Sequence, residues 1–281
     1  MSGPTAQIAL GDPEADRIDT GTERLIARVE GAIGWLTFNN AERRNAISID
    51  MWAGMSVALK AFEEDPRVRV VVLLGAGDKA FVSGADISQF EEQRASAEAE
   101  ANFRQISGAA QAKLSGLAKP SVAMIRGFCI GGGLAVALSC DLRIAAEGSQ
   151  FGIPAARLGL GYGYEGLAKL VDIVGPAYAK EIMFTARRLQ SDEALRMGLV
   201  NRIVPGDQLE PTVRELADMM GANAPLTVRA AKMAVDEAVK DPAHRDLAAV
   251  TAAVAACFAS EDFIEGRRAF MEKRTPVFKG R

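Results

Sequence analysis

Two short segments combine small residues with a position just after an apolar run that predicts a strand. They are residues 79–87, with the sequence KAFVSGADI, and residues 127–134, with the sequence GFCIGGGL. The first N–H groups of a helix have no partner inside the helix, and the helix dipole gives them partial positive charge. Small residues let a ligand come close to that backbone. Two such strand-to-helix junctions that face each other would stabilise negative charge on an oxygen atom, as an oxyanion hole does.

Either segment alone also has a structural explanation, because tight turns and close helix–strand contacts use the same small residues. The run Gly131-Gly132-Gly133 lacks the G-x-G-x-x-G spacing that is typical of a dinucleotide site. The presence of both segments, each behind a predicted strand, favours the chemical interpretation.

Alternating strands and helices are predicted around these segments. Two apolar runs, 25–29 and 33–38, predict a hairpin, and the continuous run VRVVVLL at residues 68–74 predicts a buried parallel strand. Further strands are predicted at residues 121–126, 142–145, 150–153 and 200–204, and helices at 48–62, 95–117, 134–139, 164–173 and 176–186. The alternation favours βαβ units in an α/β fold, with an all-helical region from about residue 207.

Composition limits the class of protein and its partners. The chain has 281 residues, of which 49% are hydrophobic and 25% charged, as is typical of a globular protein. A net charge of −3 argues against nucleic acid or an anionic membrane as a partner. No apolar run approaches the roughly 20 residues of a membrane span. Residues 1–21 lack the basic and apolar regions of a signal peptide and are predicted to form a flexible tail.

Histidine and cysteine residues offer little chemistry. His244 is the single histidine and is expected on the surface at a helix start, so any His-based mechanism would depend on it alone. Cys129, Cys140 and Cys257 share no metal or redox spacing. We therefore predict no metal site, and expect a reduced, cytoplasmic setting.

Five motifs in order carry a specific resemblance, which runs from about residue 23 to the end. FVSGADI and CIGGGLAVALSCD resemble the two oxyanion segments of the crotonase (enoyl-CoA hydratase/isomerase) family, and ERRNAIS resembles its CoA-proximal loop. EALRMGLVNRIV and DFIEGRRAFMEKRTPVFKG are similar to a later segment and to the closing helix and tail. The resemblance implies a crotonase-like spiral of ββα units over residues 22–206. It also implies a helical trimerisation region over residues 207–281, and a homotrimer or a dimer of trimers.

The resemblance also assigns site residues for an acyl-CoA thioester. The N–H groups of Ala85 and Gly132 would be the oxyanion donors, and no cofactor beyond the CoA moiety of the substrate is implied. Five further residues would lie along the CoA moiety, the last two of them from the same or a neighbouring subunit: Arg43, Ala46, Lys79, Phe263 and Lys279. The alternative for Arg43, Lys79, Phe263 and Lys279 is that they are ordinary surface or packing residues.

The chain departs from the family at two positions that matter for proton transfer. Ala135 and Ala155 stand where a crotonase hydratase has its two glutamates, and alanine transfers no proton. The nearby loop LGLGYGYEGL offers Tyr162, Tyr164 and Glu165 as catalytic candidates, and Tyr162 stands where family decarboxylases that act on methylmalonyl-CoA have a tyrosine. Alternatively, Glu165 interacts with a helix dipole and the tyrosines pack. Asp86 is more simply explained as a helix cap.

Three functions remain open from the sequence. The first is an acyl-CoA lyase or isomerase that works through an enolate with an unusual acid or base. The second is a decarboxylase of malonyl-type CoA esters, which needs no general base to generate the carbanion. The third is a protein that binds acyl-CoA without turnover. In each case we expect crotonyl-CoA hydration to be far slower than in a two-glutamate enzyme.

Overall fold

A computed structural model describes residues 16–86 and 97–281 of the chain, which form eleven strands and nine α-helices. The strands are β1 (Asp16–Ile18), β2 (Leu25–Glu30), β3 (Ile33–Phe38), β4 (Val70–Gly75), β5 (Ala80–Val82), β6 (Ser121–Ile125), β7 (Phe128–Ile130), β8 (Leu142–Ala146), β9 (Gln150–Gly152), β10 (Leu189–Gln190) and β11 (Arg202–Val204). The helices are α1 (Ile49–Glu64), α2 (Ala97–Ser115), α3 (Gly132–Leu138), α4 (Tyr164–Thr185), α5 (Ser191–Arg196), α6 (Leu209–Ala222), α7 (Pro225–Val239), α8 (Leu247–Phe258) and α9 (Glu261–Glu272).

The strands form two sheets. The larger sheet has the order β1-β2-β3-β4-β6-β8-β11, and the smaller has the order β10-β9-β7-β5. Strands β2 and β3 pair as the predicted antiparallel hairpin, and β3, β4, β6, β8 and β11 are parallel neighbours. Strand β4 is buried along its whole length, as the continuous apolar run predicted, because both faces of the sheet are covered.

Three consecutive units share one order: a strand of the larger sheet, a strand of the smaller sheet, and a helix. They are β4-β5-α2, β6-β7-α3 and β8-β9-α4. At the end of β4, a Cβ on Gly75 would stand 2.2 Å from the Ala80 carbonyl oxygen, so this return between the sheets requires glycine. The repeat confirms the predicted α/β fold, a spiral of ββα units.

Both faces of the larger sheet are packed. One face belongs to a large core that also contains residues of α1, α3, α4 and the smaller sheet. The other face packs against α6, whose Leu209, Val213 and Ala217 recur every four residues along one side. Helix α6 therefore belongs to the core of the sheet, although the sequence placed it in the appended helical region.

The last three helices expose apolar side chains. Leu247 and Phe258 on α8 and Ile264 and Phe270 on α9 are more than half exposed. Helices α7, α8 and α9 line an apolar groove of about 700 Å³. No single described helix is long and apolar enough to cross a membrane; α8 and α9 meet that criterion only as a pair bent by 50°.

Two kinds of local prediction were wrong. Residues 80–82 and 128–130, predicted as loop, form β5 and β7, which pair with each other. The predicted tail of residues 1–21 extends too far, because Asp16–Ile18 pair with β2 and Arg17 forms an ion pair with Glu23. Residues 1–15 lie outside the described part of the chain.

Candidate active site

The two glycine-rich junctions lie side by side. A Cβ on Gly132 would stand 3.9 Å from the backbone nitrogen of Ala85, and a Cβ on Gly131 would stand 3.8 Å from Cα of Gly84. Each junction follows a strand of the smaller sheet, and these strands, β5 and β7, are parallel neighbours. The carboxyl ends of parallel neighbours meet at one edge, which is why the two junctions share a position.

The backbone around Ala85 directs its N–H toward the other junction. Ile47 donates to the Gly84 carbonyl at 2.8 Å and accepts from the Asp86 N–H at 3.0 Å, so Ile47 and Ala85 form a parallel bridge. Hydrogen-bonding groups alternate between the two edges of an extended segment. The N–H of Ala85 therefore points away from Ile47, on the edge where Gly132 lies.

The N–H of Gly132 is one of the donors at the start of α3 that have no acceptor within the helix itself. Gly131 is the N-cap, and its carbonyl accepts the first helical hydrogen bond from Ala135 at 3.0 Å. A Cβ on Gly133 would stand 2.3 Å from the Val82 carbonyl oxygen, so α3 packs directly on the backbone of β5. Glycine at 133 thus brings the start of α3 against the Ala85 segment.

The loop expected near CoA is hydrogen-bonded to the same junction. The Arg43 guanidinium binds the buried carboxylate of Asp86 at 2.8 Å, and the Ser83 N–H donates to the Arg44 carbonyl at 3.1 Å. Within this loop Ala46 is buried, whereas the Arg43 side chain is half exposed. Asp86, predicted as a helix cap, thus pairs with Arg43; the helix start it would cap falls in residues 87–96, outside the described residues.

The two alanines that replace the family glutamates flank the Gly131–Gly132 turn. Ala135 lies on α3 one turn after Gly132 and is partly exposed. Ala155 is buried at the start of a short 3₁₀ helix, and the preceding Pro154 places its Cδ 3.9 Å from where a Cβ on Gly131 would stand. Neither methyl group can accept or donate a proton.

Tyr162 and Glu165 have different environments. The Tyr162 ring packs against the large core and against Gly166, and burial raises the pKa of its phenol above the usual 10.0. The phenol therefore stays protonated near neutral pH. The Glu165 side chain is exposed, and its Oε2 folds back to within 3.3 Å of a Cβ built on Gly163, the N-cap of α4. This position matches the alternative in which Glu165 interacts with the helix dipole.

A hydrogen-bonded lysine beside Ala135 was missed at the sequence level. The Lys169 ammonium on α4 donates to the Ser139 hydroxyl at 3.1 Å and to the hydroxyl of Ser115. Ser139 in turn donates to the Ala135 carbonyl at 2.9 Å, and burial lowers the pKa of Lys169. The i, i+4 spacing of Ala135 and Ser139 was available in the sequence, but the contact with Lys169 joins elements far apart in the chain.

Cationic side chains lie around Phe128: Lys79, Arg44 and Arg188 form a group that we call the rim. Lys79 is exposed in the turn after β4, and its carbonyl accepts from the Phe128 N–H at 3.1 Å. The Phe128 ring lies between the guanidinium groups of Arg44 and Arg188, at 5.3 and 5.1 Å from the ring centre. This rim offers cationic groups of the kind that bind phosphates.

Phe263 and Lys279 are not brought to this rim within one chain. The Lys279 N–H donates to Asp262 on α9 at 2.7 Å, and Phe263 stacks edge-on against Phe258 at 5.3 Å. The tail is fastened near Arg69, which donates to the Phe278 carbonyl at 3.5 Å and immediately precedes β4. Lys79, by contrast, follows the other end of β4.

The histidine and the buried thiols offer no nucleophile. His244 is exposed in a 3₁₀ turn before α8. Burial raises the pKa of Cys129 far above its usual range and that of Cys140 to about 12, so both thiols stay neutral.

Comparison with known proteins gives a consistent result. A family model described as enoyl-CoA hydratase/isomerase matches residues 28–281. The chain is 36% identical over 250 residues to the short-chain-enoyl-CoA hydratase of Clostridium acetobutylicum, covering 89% of this chain and 95% of that protein. It is 35% identical over 256 residues to the crotonyl-CoA hydratase of Syntrophomonas wolfei, covering 91% of this chain and 98% of that protein.

Solved structures agree with the sequence relatives. The crystal structure of an enoyl-CoA hydratase/carnithine racemase from Magnetospirillum magneticum is 34% identical and matches with a TM-score of 0.86. The match covers 92% of this chain and 97% of that one.

Proposed function

The chain belongs to the enoyl-CoA hydratase/isomerase, or crotonase, family of acyl-CoA-processing enzymes, and from this premise we propose that it stabilises a thioester enolate between the Ala85 and Gly132 N–H groups. The observation that carries the proposal is the adjacency of the two junctions, with the Ala85 nitrogen 3.9 Å from a Cβ built on Gly132. A thioester oxygen seated between them would accept from both.

Two such donors account for the core of the chemistry. A CoA thioester has an acidic α-carbon, and addition, isomerisation and decarboxylation all pass through an enolate-like state. Charge then develops on the thioester oxygen, and one aligned donor contributes about 2.7–4 kcal/mol of transition-state stabilisation. Both donors are backbone groups held by packed glycines, so they need little reorganisation during the reaction.

The reaction that follows the enolate does not use two glutamates. Ala135 and Ala155 remove the pair that would activate water and protonate the α-carbon. We therefore assign the chain to lyase or isomerase chemistry with a different proton donor, and Tyr162, neutral because it is buried, is the candidate acid. The exposed position of Glu165 gives it less support as the base.

Decarboxylation of a malonyl-type CoA ester is the second candidate. The bond between the α-carbon and the carboxylate carbon would break, CO₂ would leave, and its electron pair would pass to the thioester oxygen. The enolate would then take one proton at the α-carbon. No base is needed before the bond breaks, so the alanines at 135 and 155 favour this route, and the neutral Tyr162 phenol suits the protonation step.

We also propose which residues bind the nucleotide end of CoA. Arg43 pairs with Asp86 next to the oxyanion junction, and Ala46 lies in the loop between Arg43 and Ile47. Lys79 lies at the rim beside Phe128, at the other end of β5. Phe263 and Lys279 would reach that rim from a neighbouring copy in a homotrimer or a dimer of trimers. Support comes from their distance from Lys79 within one chain, and from the exposed apolar faces of α8 and α9.

The test is a panel of acyl-CoA esters incubated with the purified protein and analysed by mass spectrometry. Crotonyl-, 3-enoyl-, 3-hydroxybutyryl- and methylmalonyl-CoA together report water addition, double-bond shift, water loss and loss of CO₂. We expect isomerisation or decarboxylation, with at most slow hydration of crotonyl-CoA and equally slow water loss from 3-hydroxybutyryl-CoA, which is the reverse reaction. Fast hydration would contradict the role given to Ala135 and Ala155. Binding of the esters without any turnover would identify a binding protein instead of an enzyme.

A further inference from the structure

Trp52 presents a buried hydrogen-bond donor to the candidate oxyanion site. The side chain lies on α1 and is 3% exposed, and its Nε1 has no hydrogen-bond partner among the described residues. Its Cζ2 stands 3.8 Å from where a Cβ on Gly132 would be. Because Cζ2 and Nε1 are bonded to the same ring carbon, the indole nitrogen lies next to the part of the ring that is nearest to Gly132.

The local backbone fixes this placement. Helix α1 begins two residues after Ile47, which forms the bridge with Ala85, and the Trp52 N–H of the backbone donates to the Ser48 carbonyl at 3.2 Å. The first turn of α1 therefore carries Trp52 to the point where the Ala85 and Gly132 segments meet. The Trp52 ring is a third wall of the same site.

Trp35 has the same chemistry in a different place. Its Nε1 is also buried and has no hydrogen-bond partner in the part of the chain that the structure describes. The Trp35 ring, however, lies under the Arg214 guanidinium at 4.7 Å, in the core on the opposite face of the larger sheet. Nothing at Trp35 corresponds to the paired backbone donors beside Trp52. Trp52 therefore has its indole donor beside the candidate site, whereas Trp35 has the same donor in a packed core, which makes Trp35 a control for Trp52.

A buried N–H without an acceptor is unfavourable, so a ligand oxygen that meets it is selected over a ligand that lacks one. The thioester oxygen is not that acceptor, because a carbonyl oxygen offers two lone pairs and the Ala85 and Gly132 donors occupy both. The acceptor must be a second oxygen close to the thioester.

We propose that the Trp52 indole N–H recognises a second oxygen function on the acyl group, within reach of the thioester carbonyl. The preferred ligands are then acyl-CoA esters that carry a hydroxyl, oxo or carboxylate oxygen near the thioester, rather than plain saturated acyl-CoA esters. This inference rests on the proposed function of the same site. It makes Trp52 a specificity-determining residue.

The test compares butyryl-CoA with 3-hydroxybutyryl-CoA by calorimetric titration, while mass spectrometry checks that neither ester is converted. The wild-type chain should bind 3-hydroxybutyryl-CoA about 3- to 10-fold more tightly, the fold-change that one neutral hydrogen bond gives. Trp52→Phe should lose the preference, so that the ratio of the two affinities falls to about one. Trp35→Phe is the matched control and should keep the preference.

Two further measurements make the result decisive. In the Trp35→Phe background Trp52 is the only tryptophan, so its fluorescence should change when either ester binds. Should Trp52→Phe fail to fold, β-(3-benzothienyl)alanine at position 52 removes the N–H and keeps the shape of the ring. Equal binding of both esters by the wild type, or equal weakening of both by the change at 52, overturns the inference alone. Failure of both esters to bind overturns the proposed function as well.

Discussion

The junction end of the molecule and its C-terminal helices are built on opposite principles. At the junctions the backbone makes the site: Gly133 packs on the Val82 carbonyl, and Ile47 bridges to Ala85 within one chain. On α8 and α9 exposed side chains such as Phe258 and Phe270 dominate, and they have no cover within the described residues. Under the proposed function, the reacting end of the ligand would be held by one chain, whereas the nucleotide end would require a second copy.

Gly132→Ala should break the junction end without unfolding it. The nearest atoms to the new Cβ are at 3.8–3.9 Å, so the fold accepts it, but the methyl group stands beside the Ala85 nitrogen where the thioester oxygen would lie. We expect kcat/KM for the active ester to fall on the order of 10²–10³-fold, the cost of one lost oxyanion donor. Steady-state kinetics measures this loss.

Gly161→Ala is the control, since nothing lies within 4 Å of a Cβ at that position. It should leave kcat/KM unchanged. A Gly132→Ala enzyme with full activity would remove the oxyanion assignment.

Gly133→Ala should mainly lower stability, whereas Gly132→Ala should mainly lower activity. Its Cβ would stand 2.3 Å from the Val82 carbonyl oxygen, so α3 or β5 must move. Overpacking of this kind lowers the free energy of unfolding by about 1–3 kcal/mol, and backbone contact places it at the upper end. Urea denaturation measures the loss. Unchanged stability would mean that the close packing of α3 on β5 is not required.

Phe258→Glu should affect assembly and the nucleotide end. Phe258 is 64% exposed and contacts Phe263, so a carboxylate there places charge on the proposed interface between copies. Light scattering should show trimers for the wild type and monomers for the variant, and KM for CoA esters should rise by about 10-fold. Val57→Glu, at an exposed apolar position on α1, should stay trimeric. A monomeric wild type with full activity would contradict the account of the nucleotide end.

Tyr162→Phe should have the smallest effect on stability, and this effect depends on pH. Burial raises the phenol pKa of the folded chain above the usual 10.0, so the folded state holds this proton more tightly than the unfolded state. The Tyr162 contribution to stability is complete below pH 10 and is lost as pH rises through the folded pKa. The wild type should therefore lose more stability above pH 10 than the variant, as measured by urea unfolding across pH. Parallel curves for the two proteins would show that the phenol is not buried as described.

The sequence predicted the parts of the fold that leave a continuous local signal. The apolar run of β4 predicted its burial, and the gap between the predicted helices 164–173 and 176–186 contains Gly175, the non-helical residue of α4. Strands β5 and β7 have only three residues each and depend on pairing with each other. Segments this short show no periodic pattern that would predict a strand.

The candidate site also has features that the sequence predicted and features that only the structure reveals. The small residues at the two junctions predicted backbone donors, because their spacing behind strands is local information. The Arg43–Asp86 pair, the Lys169–Ser139 contact and the edge of Trp52 join residues far apart in the chain, and only the folded arrangement brings them together.

The most direct test of the central claim is a crystal structure of the protein with a bound acyl-CoA ester that it does not convert. The account predicts that the thioester oxygen lies about 2.7–3.1 Å from both the Ala85 and the Gly132 nitrogens. A thioester oxygen that contacts neither nitrogen, with the acyl group bound elsewhere in the chain, would contradict it.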